Sequence, residues 1–180
     1  GLAMLAGLFP LRIPGSKNSF AAGEVFIMLV LMMHGPAAAA LAAGCEALVG
    51  SVRTSRRLTS WLISPATAVV AMTVLGSALH QFIGWVGIET AFTQALLLLS
   101  GMVFALAYFT MITLLITAVM HLKRDEPLRW DHYVANFGWV GTTYAASALI
   151  AGLLFLTFRA TGIGVMAGAV PIIVLLLVML

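Results

Sequence analysis

Long apolar runs separated by short polar gaps set the layout of this chain. Residues 21–33 and 36–52 are two short apolar stretches joined by His34-Gly35-Pro36, where a glycine followed by a proline breaks a helix. Longer runs follow at about 61–83, 91–120, 132–158 and 162–180. At about 1.5 Å of rise per residue, each of these approaches or exceeds the roughly 30 Å of a bilayer's hydrocarbon core. The pattern predicts an all-α, polytopic membrane helix bundle of six to seven hydrophobic segments. A short helical hairpin over 21–52 belongs to it, either barely spanning or re-entrant. Trp61, Trp85, Trp130 and Tyr133 fall at the edges of the longer runs, where amphipathic rings anchor at the interface. Residues 1–10 make only half a span and begin without Met, and the aliphatic run Ile172 to Leu180 stops without a cap or a basic anchor. Residues 1–180 are therefore expected to be a single transmembrane domain cut at both ends, its last helix leading into something cytoplasmic.

Composition agrees, with 62% of residues hydrophobic and 8% charged, a balance unlike that of a soluble core and surface. Charge then adds orientation. Arg12 and Lys17 lie in the first gap, Arg53, Arg56 and Arg57 in the next basic gap, and Lys123, Arg124 and Arg129 in the third. The alternate gaps carry no Lys or Arg except the bordering Arg159. By the positive-inside rule the three basic gaps face the cytoplasm, as expected for a multi-pass protein of a bacterial inner membrane with its C-terminus inside. The basic residues do not interleave with aromatics, so nucleic acid is not an expected partner. The lipid bilayer is.

Glu46 is the sharpest single residue. An ionised carboxylate inside an apolar helix costs several kcal/mol unless it is paired or neutral. Arg53 lies seven residues on and on the same helical face, so Arg53, Arg56 or Arg57 is expected to neutralise it, with Lys17 as a further candidate. Glu24, near the start of the preceding segment, joins the same intramembrane ion network. The other readings of Glu46 are proton coupling or conformational switching, and contact with a ligand.

His34 and His80 fall at the outer boundary with Glu89 in the following loop. Two imidazoles and a carboxylate are a ligand set that a transition metal accepts, with Met32 and Met33 adjoining. The competing readings are a periplasmic small-ligand or pH-sensing site, and interfacial histidines bonded to water or backbone. His121 and His132 flank the third basic gap as parts of a solvated loop. Thr110, Thr113, Thr117 and His121 form a polar stripe on one run, and His132, Asn136 and Thr143 on the next. Such threonines commonly bond their own backbone or glue helices together. Cys45, the only cysteine, is expected to be an inert small core residue. The small residues Ala37 to Ala40, Ala42 to Gly44, Ala47 and Gly50 let neighbouring backbones approach closely, so the 36–52 helix is expected to be central. Gly164 and Gly168 suit intramolecular packing or a homodimer seam. No cofactor is identified: Lys17 and Lys123 lie outside the spans, which excludes a buried retinal Schiff base.

A resemblance adds to this. The run Arg12-Ile13-Pro14-Gly15, then Glu24-Val25-Phe26-Ile27-Met28-Leu29 leading to His34-Gly35-Pro36-Ala37-Ala38-Ala39-Ala40 and Glu46-Ala47-Leu48-Val49-Gly50-Ser51, carries it. Over residues 12–60 it resembles the multi-pass amino-terminal sensor regions that precede GGDEF, EAL or HD-GYP domains in bacterial cyclic-di-GMP signalling proteins. A weaker similarity is to substrate-binding S-components of energy-coupling-factor vitamin transporters. Neither brings a catalytic residue. The resemblance implies a non-catalytic sensory or anchoring module that binds a small apolar ligand or senses the membrane and relays to a cytoplasmic output domain. The alternatives are a small-molecule transporter subunit, or a structural subunit held among other membrane subunits.

Overall fold

A computed structural model describes residues 11–12, 19–20, 23–55, 58–124 and 130–162. Five helices dominate it: α1 (Gly23–His34), α2 (Pro36–Thr54), α3 (Leu58–Val86), α4 (Ala91–Arg124) and α5 (Trp130–Thr161). Ahead of them the two-residue strands β1 (Leu11–Arg12) and β2 (Ser19–Phe20) pair antiparallel, Leu11 opposite Phe20 and Arg12 opposite Ser19. The fold is all-α apart from that ladder, as the apolar periodicity predicts. Three helices contain stretches long and apolar enough to cross a membrane, namely Leu58–Val86, Ala91–Val119 and Val140–Thr161. Among the described residues these three spans and the short hairpin are found, and the expected segments within 1–10 and 162–180 lie beyond the described helices. Gly164 and Gly168 lie outside the described residues.

Each helix packs against its neighbours in a ring, α1 on α2, α2 on α3, α3 on α4, α4 on α5, and α5 back on α1. The largest fully enclosed side chains are Ile27, Met28 and Leu31 of α1, Met72 of α3 and Ser147 of α5. Three of these five belong to the twelve-residue α1, so α1 is the enclosed helix. The small-residue helix α2 is not the central one. It buries Ala39, Ala40, Ala43 and Gly44, and a side chain at Gly44 would meet Val69 of α3 at 2.7 Å. Its opposite face, with Leu41, Cys45, Leu48 and Val52, is exposed. Small residues brought α2 close to one neighbour, and the bulkier positions between them turned outward. Cys45 thus lies on that outer face, and not in the core.

Local chemistry fixes the turns. Gly35 closes the hairpin with φ 82° and ψ −177°, donates its N–H to Leu31 (3.0 Å), and hands over to Pro36 in the first turn of α2. That backbone region is essentially restricted to glycine. The His80 ring of α3 covers the same turn, within 3.6 Å of where a Cβ on Gly35 would stand. At the other end Trp61 donates its indole N–H to the Ser55 carbonyl (2.6 Å), clamping the α2–α3 connection. Thr90 and Thr93 cap α4 reciprocally, each backbone N–H bonded to the other's hydroxyl (3.0 and 3.2 Å). Trp85 is exposed near the end of α3, consistent with an interface anchor.

Thr110, Thr113, Thr117 and Thr143 donate to carbonyls three or four residues back in their own helices, at 2.7–2.8 Å. The threonines of the stripe on α4 thus donate within their own helix. The side chains of His132 and Asn136 lie outside those described.

Replacing Gly35 by alanine forces a Cβ onto a glycine-only conformation. Gly35→Ala is expected to lower stability by about 1–3 kcal/mol, read as a reduced thermal midpoint in detergent micelles. An unchanged midpoint would mean that the hairpin turn is not fixed by this backbone geometry.

Candidate functional site

The site is built around the start of α1. At twelve residues, α1 is only roughly 18 Å long, too short to cross a bilayer by itself. Its first turn lies deep in the bundle. Glu24 meets Tyr144, which lies about 20 Å along α5 from Trp130 at the helical rise. The first backbone N–H groups of any helix have no partner within it, and together they carry about half a positive charge.

Glu46 of α2 occupies that end of α1. A Cβ on Gly23 would overlap the Glu46 carboxyl, so glycine is what lets the carboxyl lie against the helix start. Glu46 is 9% exposed, and neither carboxyl oxygen has a hydrogen-bond partner among the described residues. On the next residue of α1, Glu24 accepts a hydrogen bond from the Tyr144 hydroxyl of α5, while its Oε2 is buried without a partner among the described residues. Tyr108 of α4 is 2% exposed and lies within electrostatic reach of both carboxyls. Its ring is 6.4 Å from that of Tyr144, stacks on Phe104 at 6.0 Å, and belongs to an aromatic group that Phe109 completes at 5.3 Å from Tyr144. One turn beyond Tyr144 on α5, the Ser147 hydroxyl is also buried, with no hydrogen-bond partner among the described residues. Four helices thus converge on two carboxyls and two phenols, walled by aromatic and aliphatic side chains.

Glu24 and Glu46, the acidic members expected of an ion network, are brought together here. Of the expected cations, Arg53 alone is among the described residues. Arg53 is exposed in the last turn of α2, and no described cation hydrogen-bonds to Glu46. Arg56 and Arg57 lie outside the described residues, as does Lys17. Two helical turns separate Glu46 from Arg53, about 10 Å along the axis. A long basic side chain at that position gains more by reaching the aqueous edge than by following the carboxyl inward.

The outer histidines do not assemble a metal centre. His34, His80 and Glu89 are all exposed, and no group of three His, Cys, Asp or Glu side chains able to hold an ion occurs among the described residues. His80 stacks over the Gly35 turn, and Glu89 lies beyond Gly87, whose φ of 73° redirects the chain into α4. Shared location at one end of the bundle did not converge into ligand geometry.

Sequence reasoning passed over Tyr108, Tyr144 and Ser147. The signal was there for the tyrosines. Tyrosine in a membrane helix favours the interface, and one far from a helix end brings a hydroxyl that needs a partner in an apolar setting.

Two substitutions probe the arrangement. Tyr144→Phe removes the donor to Glu24 and is expected to cost about 1–3 kcal/mol, measured by thermal unfolding in micelles. No loss would remove the bond from the packing argument. Gly23→Ala is expected to displace the Glu46 carboxyl and destabilise by a similar amount, and the double variant Gly23→Ala with Glu46→Ala should regain part of it. Additive losses would place the carboxyl elsewhere. No family model, curated protein or solved structure matches the chain, and a functional reading therefore rests on this site.

Proposed function

We propose that the chain is a non-catalytic, membrane-embedded sensory module of a bacterial signalling protein. It lies in the cytoplasmic membrane with its basic gaps inside. It carries a helix movement through residues 162–180 to a cytoplasmic output domain. The movement originates at the centre formed by Glu24, Glu46, Tyr108 and Tyr144.

The observation that supports this reading is the placement of a buried, unpartnered carboxyl against the first turn of a half-length helix. A bundle needed only for anchorage gains nothing from such groups, because apolar residues of the same size fill the space at lower cost. Polar groups with incomplete partners lie close in energy between two packings, and a ligand with different affinity for the two shifts their populations. The element best suited to move is α1, held on one flank by α2 and on the other by α5. Broken or half-length helices with a terminus at membrane depth are tolerated only where protein surrounds them, and there they form sites.

Cys45, exposed beside Glu46 on α2, and Ala146, exposed near Tyr144 on α5, lie on the two helices that flank α1. Spin labels at Cys45 and at Ala146→Cys, with the protein in lipid bilayers, are expected to give two distance populations by double electron-electron resonance. Glu46→Gln is expected to change their ratio by threefold or more, corresponding to about 0.7 kcal/mol. A single population, the same in wild type and variant, would discard the switching module in favour of a structural subunit.

A further inference from the structure

We draw no further inference here: the strongest candidate, the buried cluster of Glu24, Glu46, Tyr108 and Tyr144 where α1, α2, α4 and α5 meet, belongs to the site already described, and the next, the exposed face of α2 along Leu41, Cys45, Leu48 and Val52, has nothing in the structure to show what covers it.

Discussion

The constraint on which the rest of this structure depends is that α1 begins inside the bundle. A helix that starts at the membrane surface gives its first backbone N–H groups to water. One that starts among other helices must find acceptors or anions in the protein. Here α1 is twelve residues long and buries most of its side chains, so its first turn lies against α2, α4 and α5. Glu46 reaches that turn from α2, and Gly23 is the residue small enough to admit it. Other helices can satisfy their termini through caps, as Thr90 does for α4.

Packing then distributes the remaining roles. The smooth face of α2 allows a close approach to α3 near Gly44. On the other side of the ring, a side chain at Gly152 of α5 would meet Leu98 of α4 at 2.6 Å. These two tight seams hold α2–α3 and α4–α5 as pairs, and α1 lies between α2 and α5. The Gly35 turn ties the outer end of α1 directly to α2. Its inner end is tied through side chains, by the Tyr144 bond to Glu24 and the contact of Glu46 with Gly23. One end of α1 is set by a tight backbone turn and the other by polar side-chain contacts. This asymmetry is the mechanical basis of the proposed sensory role.

The same logic explains why the outer histidines and the threonine stripe carry less chemistry than their residue types promise. Thr110, Thr113 and Thr117 donate their hydroxyl protons to carbonyls of their own helix, the default for threonine in an apolar helix. His34, His80 and Glu89 have access to solvent, so nothing forces their side chains to converge. Burial forces convergence at the other site, because a carboxyl without water has to be placed beside whatever dipole the fold provides.

Much of the architecture was legible from residue order. Apolar run length distinguishes helices that cross a membrane from shorter ones, and Gly35-Pro36 marks the hairpin, because both are local properties of the chain. The cost of Glu46 in an apolar helix was equally legible, since desolvation depends on the residue and its surroundings. The place of its carboxyl was not. Sequence proximity favoured Arg53, whereas the carboxyl turned to the start of α1, which lies twenty-three positions earlier and is adjacent only after the hairpin folds. Tyr108 and Tyr144 come from helices still farther along the chain, and their meeting with Glu24 depends on the ring closing between α5 and α1. Periodicity gives each helix an apolar face. In a chain that is apolar on every face it does not say which face meets which neighbour. Tertiary packing alone decided that α1 is enclosed, that α2 exposes Cys45, and that two acids share one buried centre.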